Sequence, residues 1–270
     1  MEKSALYSIT IDSLQSSLFR LLDAANLTER VPSGKTILIK PNLVEVLAPP
    51  ITTPVELIAL LVEYLQKNLP KSAIIIGEGT GSLEYETCHC FQQLGYAQLS
   101  SEKNIPLLDL NHEELTKQED PTCTRWPVMH LPSILDEVYL LSVPVLKAHT
   151  LAKVTLTMKN MMGCVPPSHF RGNGYWKKSA FHNQIHKSIF ELNRYRTPDF
   201  TLLDASIGMA KAHLWGAHCD PVVNILAASI DSVAIDSYGS FLLGKNWQDI
   251  GHIKMADTVL GCAETAATHI

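Results

Sequence analysis

No stretch of this chain holds the roughly eighteen consecutive apolar residues that a membrane-spanning helix needs. The first residues, MEKSALYSITIDSLQ, lack the long apolar core and small-residue cleavage site of a secretory signal, so the expected location is cytoplasmic. There is no run of basic residues, and the formal net charge is -5. Nucleic-acid binding, which rests on neutralising phosphates with basic patches, is therefore not expected. The six cysteines, Cys88, Cys90, Cys123, Cys164, Cys219 and Cys262, are scattered. They form neither the four-cysteine run of a bacterial ferredoxin nor paired zinc knuckles, and their expected role is that of buried apolar thiols. Also missing are the P-loop, the dinucleotide fingerprint, the HExxH pair and a serine elbow. No internal repeat or low-complexity tract occurs.

What is present is a globular composition, 46% hydrophobic and 18% charged over 270 residues. Short apolar, β-branched runs alternate with helical patterns. Thr36–Ile39 reads as a buried strand ending at Lys40-Pro41-Asn42, and Ala73–Ile76 as a second, followed by the glycine turn Gly77-Glu78-Gly79-Thr80-Gly81. Between them Thr53 reads as a helix N-cap, with Pro54 at the first helical position and Glu56 closing a capping box. A helix from Tyr85 to Leu94 is expected to stop at a left-handed Gly95. Ile105–Leu110, Glu137–Val145, Phe200–Leu203 and Ile225–Ala228 read as further strands. Phe181–Arg194 reads as a helix, and so does a segment capped by Asp231 that runs to Leu243. Residues 111–125 carry little periodicity and read as loop. The stretch 150–162 starts like a strand and ends like a helix. Strands separated by helices predict an α/β fold, a mostly parallel sheet with helices on both faces, Rossmann-like, in one domain over residues 1–270. The one candidate subdomain boundary falls within residues 111–132.

In such sheets ligands sit at the carboxyl ends of the strands. Polar residues gather there: Lys40 and Asn42 after the first strand, Glu78 and Thr80 after the second, and Asp204 after a later one. The densest set lies in Val143–Gly163, VPVLKAHTLAKVTLTMKNMMG, where Lys147, His149, Lys159 and Asn160 interrupt an apolar run. Lys147 and His149 share one face of an extended chain. The lysines suit an anionic ligand, and a histidine can move a proton near neutral pH. His182 and His186, four apart on the expected helix, share a face and offer a second kind of site. With His149 and Asp204 they would make a transition-metal centre.

KPNLV, GEGTG, VPVLKAH, VTLTMKNMMG, His186, LLDASIG and AASIDSVAIDSYGSFLLG occur in this order, and over Thr36–Gly261 the chain resembles the uncharacterised family catalogued as domain of unknown function 362. The resemblance implies an α/β domain. It also implies recurrent polar positions at Lys40, Asn42, Lys147, His149, Lys159, Asn160, His186, Asp204, Asp231 and Asp236. Longer relatives often carry a ferredoxin-like iron–sulfur module, which implies redox chemistry in part of the family. Two departures stand out: the cluster cysteines are missing, and the glycine-rich segment expected after Asp204 is replaced by KAHLWGAHCDP.

Three readings follow. The first is an enzyme that binds a small anionic substrate or cofactor at the strand ends. Lys147, His149 and His186 would be catalytic, and Lys40, Asn42, Lys159, Asn160 and Asp204 would bind the substrate. A redox version draws electrons from a separate ferredoxin-like partner. The second is a metal-dependent enzyme using His149, His182 and His186. The third is a ligand-binding or scaffold protein without catalysis.

Overall fold

The computed structural model describes residues 5–270. Its twelve strands in chain order are β1 (Leu6–Thr10), β2 (Ile37–Pro41), β3 (Ile74–Glu78), β4 (Leu107–Asp109), β5 (Leu115–Glu119), β6 (Val128–Pro132), β7 (Tyr139–Val143), β8 (Val145–His149), β9 (Lys153–Thr155), β10 (Phe200–Met209), β11 (Ile225–Ser229) and β12 (Ala267–His269). Ten of them form one sheet whose main path runs β12-β1-β11-β10-β7-β2-β3-β4, with β8 joining β10 and carrying β9. The pairings along β10-β7-β2-β3-β4 are all parallel. The chain moves outward from β2 through β3 to β4, then returns to place β7 on the other side of β2. This reversal leaves a crevice between the carboxyl ends of β2 and β7, where ligands bind in sheets of this kind.

The sheet is buried on both faces because its strands alternate between two cores. Ile37 and Ile39 of β2 face one core, together with Leu57, Ile58, Leu61 and Leu65 of the helix Val55–Asn68. Leu38 faces the other, with Ile189 and Leu192 of the helix Ile185–Tyr195 and Val233 of the helix Ser232–Leu242. Each such aliphatic side chain, fully removed from water, contributes about 1.5–3 kcal/mol. The expected architecture, an α/β fold with a mostly parallel sheet and helices on both faces, is present. Its β12-side flank is mixed: β11 runs antiparallel to β10 and to β1.

Several local expectations change. Thr53 is not the N-cap of its helix. That place falls to Pro54, and Glu56 closes no capping box. The Thr53 hydroxyl instead donates to Val143 O at 2.7 Å and accepts Asn42 N–H at 2.8 Å, tying the ends of β2 and β7 together. Residues 111–125, expected as loop, contain β5, which pairs with β6 as a separate two-stranded sheet. The expected helix 181–194 is broken by Gln184 in the left-handed region, φ +51°, into a short turn Ser179–His182 and the helix Ile185–Tyr195. Gly95 does adopt the left-handed conformation, φ +83°, but a second helix, Tyr96–Lys103, follows it. Asp231 caps the helix Ser232–Leu242 by accepting the N–H groups of Val233 and Ala234. No helix among the described residues is long and apolar enough to cross a membrane.

Candidate functional site

The tips of β2, β3, β8 and β9 surround a cavity of about 640 Å³, open mouth included. Its walls include Asn42, Glu78, Lys147, His149, Lys159 and Asn160, with Thr155, Trp176, Lys178, His182 and His213. Residues more than a hundred positions apart therefore share one hollow. Lys40 and Ser142 stand just beneath it.

The floor is a closed polar network. Lys40 is fully buried, and its Nζ donates to both Glu78 oxygens at 2.9 Å and to Asn160 Oδ1 at 3.2 Å. Glu78 also accepts Leu43 N–H at 3.1 Å and Gly79 N–H at 2.8 Å. Asn42 Nδ2 donates to the same Asn160 oxygen at 3.0 Å, and its own oxygen accepts from Lys147 Nζ. Lys147 gives a second bond to Ile51 O at 2.7 Å. Asn160 Nδ2 reaches Ser142 Oγ at 3.1 Å. Polar groups taken out of water need such partners. Lys40, Asn42, Lys147 and Asn160, expected to hold or act on substrate, spend their hydrogen bonds on one another and on the strand tips.

Groups without protein partners face the cavity above this floor. Among the described residues Lys159 Nζ has no hydrogen-bond or ion-pair partner. His149 Nε2, Thr155 Oγ1, His182 Nδ1 and His213 Nδ1 are buried and unpartnered. The turn Thr157–Asn160 that presents Lys159 is fixed from behind by Asp236, whose carboxyl accepts Thr157 N–H at 2.8 Å and Met158 N–H at 3.1 Å. Lys178 Nζ is held by two glycine carbonyls, Gly79 O at 2.7 Å and Gly163 O at 2.8 Å.

Hydrogen bonding assigns His149 its tautomer. The N–H groups of Leu151 and Ala152 both donate to Nδ1, at 3.0 and 3.1 Å. Nδ1 is therefore an acceptor and the ring proton sits on Nε2. Burial, followed by the nearby Lys159, holds the imidazole neutral far below its usual range. The residue type points to a proton mover; the geometry makes His149 a donor through Nε2. It is also a poor metal ligand. A ligating histidine donates its second ring nitrogen to an oxygen, whereas here that nitrogen accepts.

The proposed histidine metal cluster does not assemble. His182 and His213 stand in the cavity, with His213 stacked on His149 at 3.9 Å between ring centres. His186 lies elsewhere: its Nδ1 is 3.0 Å from His252 Nδ1, and the helix break at Gln184 removes it from His182's face. Asp204 does not line the cavity either; it accepts Ser206 N–H at 2.9 Å within its own strand. Among the described residues the grouping of His, Cys, Asp and Glu suited to a metal is Glu86, Asp109 and His112, away from the cavity, and there Lys177 Nζ already bonds Glu86 at 2.6 Å. The cysteines do not fit an iron–sulfur cluster, since no set of thiols converges among these residues. Lys178, His213 and Thr155 are cavity residues that sequence reasoning missed. Of these only His213 had a signal, in the segment that departs from the family pattern.

Burial lowers the affinity of the cavity lysines for protons. Lys159 falls from 10.5 to about 8, and Lys178 to about 7. Between pH 7 and 9 the unfolded chain keeps both protonated while the folded chain releases protons. The unfolded state then binds more protons, so stability rises with pH, by at most about 1.4 kcal/mol per pH unit for each lysine. Ligand-free protein is expected to show its urea midpoint rising from pH 7 to 9, and Lys159→Met to flatten part of that rise. A flat wild-type profile would contradict the burial of these heads. Above pH 9 buried thiols such as Cys90 and Cys164, pushed up to about 11, oppose the trend.

The family model described as Domain of unknown function (DUF362) matches residues 37–240. The thylakoid-associated protein sll1697 of Synechocystis sp. (strain ATCC 27184 / PCC 6803 / Kazusa) is 27% identical over 234 residues, which cover 83% of this chain and 68% of that protein. The lactate racemase apoprotein from Thermoanaerobacterium thermosaccharolyticum shares the fold, with a TM-score of 0.52 at 14% identity. The match covers 90% of this chain but 57% of that one.

Proposed function

The chain belongs to the family described as Domain of unknown function (DUF362), and from that premise we propose that it is an enzyme whose strand-end cavity binds a small anionic substrate. One observation carries this reading. Lys147, Lys159 and Lys178 meet in the cavity, where the single lining carboxylate, Glu78, is already neutralised by Lys40. Burial lowers the proton affinity of all three lysines, so the positive surplus at neutral pH rests mainly on Lys159, and low-dielectric walls focus it. His149 Nε2–H and Thr155 Oγ1 add unpartnered donors that a carboxylate or phosphate would satisfy. Lys159 opposes the ligand's charge and His149 orients it, while His182 and His213, which burial holds neutral, complete the polar wall.

Calorimetry with inorganic phosphate, acetate, lactate and pyruvate tests this. At least one anion is expected to bind. His149→Phe is expected to weaken it by about 1.5–3 kcal/mol, the worth of a hydrogen bond to a charged group. Affinity should fall as pH rises through 8, because Lys159 loses its charge there. A cavity that takes no anion, or takes one with equal strength at pH 7 and 9.5, overturns the reading.

A further inference from the structure

We propose, resting on the anion-binding reading, that Lys159 is a carbonyl-reactive amine and that the cavity takes short 2-oxo acids, holding them as a Schiff base. The cavity lysines divide into two kinds. Lys147 and Lys178 are each tied by two hydrogen bonds to oxygens, as is Lys40 beneath them by more. Those bonds pin both nitrogens against backbone and amide oxygens, and neither can move to meet a carbonyl carbon without giving one up. Lys159 alone is untied among the described residues, and it lines the hollow from a turn that Asp236 holds in place. No carboxylate stands against it to keep it an ammonium, and burial eases its proton off near neutral pH. A desolvated lysine near other cations is the usual form of an amine nucleophile toward carbonyls.

The remaining unpartnered groups match the other half of such a substrate. His149 Nε2–H and Thr155 Oγ1 are donors for the carboxylate. His182 Nδ1 and His213 Nδ1 are unpartnered polar atoms beside it. In the reaction the Lys159 nitrogen attacks the C2 carbonyl carbon, forming a C–N bond as the carbon–oxygen π bond opens. A proton passes from nitrogen to that oxygen, giving a neutral carbinolamine. The nitrogen lone pair then expels the hydroxyl, which takes one proton from solvent and leaves as water. The product is a protonated iminium, and neither oxidant nor reductant is consumed.

The test is reductive trapping on the full chain at neutral pH, with pyruvate or glyoxylate and cyanoborohydride, read by intact mass and peptide mapping. One adduct at Lys159 is expected, forming well over tenfold ahead of adducts at exposed lysines such as Lys153, since a fall from 10.5 to about 8 frees roughly a few hundred times more amine at neutral pH. Lys159→Arg should lose it and Lys153→Arg should keep it. Adducts spread evenly over exposed lysines in the wild type overturn the proposal, whether or not the arginine variant folds. Calorimetry with lactate, which has a carboxylate but no carbonyl, separates the two readings. Lactate binding without a Lys159 adduct removes the Schiff base and leaves the anion site; failure of both removes both.

Discussion

Glu78→Gln is expected to lower the free energy of unfolding by about 3–5 kcal/mol, the cost of removing one partner from a buried ion pair. Lys40 is fully buried and Glu78 nearly so, and their atoms meet at 2.9 Å. Neither charge can turn to water when its partner is lost. Glutamine presents an amide N–H₂ where the carboxylate accepted from Lys40, Leu43 N–H or Gly79 N–H, so at least one donor faces another. Damage would spread, because Lys40 also holds Asn160 Oδ1, which holds Asn42, which holds Lys147. Urea unfolding followed by tryptophan fluorescence measures the loss. The double variant Lys40→Met, Glu78→Leu should recover the part due to the lone charge, while the Leu43 and Gly79 N–H groups it leaves unpaired keep it below the wild type. A loss under 1 kcal/mol for the single variant would mean that the pair is not the centre of the floor.

The core of the sheet was legible for a simple physical reason. β2, β3, β7 and β11 are buried on both faces, so their sequences are continuous apolar runs bounded by turn residues. β5 was hidden because LTKQE has no apolar face to announce a strand; it is held by its hairpin partner β6. β12, an edge strand, and β1 beside it are set by pairing at the rim of the sheet rather than by composition. The false kinship of His182 and His186 came from a helical period that runs unbroken in the sequence. The left-handed turn at Gln184 leaves no mark there, since glutamine is not a residue that favours that conformation.

For the site, the polar residues at strand tips were visible, but their division of labour was not. Lys40 and Glu78 each stood out as a strand-tip polar residue, and only the parallel pairing of β2 with β3 makes them partners. Lys159 was visible as one more positive charge. Its distinction is a lack of partners, and that is a property of the assembled cavity. His149 was read as a proton mover because its residue type permits it. Two backbone amides two and three residues further on decide otherwise. Lys178 and His213 sit on connecting segments, which carry no periodicity to show where they point.

Glycine positions provide the sharpest contrast. Gly163→Ala is expected to destabilise the protein by at least about 3 kcal/mol, the upper range for overpacking a core, and to abolish anion binding. A Cβ at Gly163 would overlap Glu78 Oε1 and come within 2.8 Å of Lys40 Cε. Both atoms belong to a buried pair with nowhere to retreat. The Gly163 carbonyl also holds Lys178, so displacement of this backbone moves a cavity cation as well. Gly79→Ala should behave alike, since its Cβ would crowd the Gly163 oxygen and Lys178 Nζ. Gly81, two residues further along the same GEGTG turn, makes the control. Its Cβ would come no closer than 3.5 Å to Trp176, ordinary van der Waals contact, so Gly81→Ala should change stability by less than about 1 kcal/mol. Composition and spacing treat the glycines of this turn as equivalent. If thermal and urea unfolding find Gly79→Ala and Gly81→Ala equally tolerated, the close approach of the Gly79 backbone to Gly163 O and Lys178 Nζ is not what the turn is for.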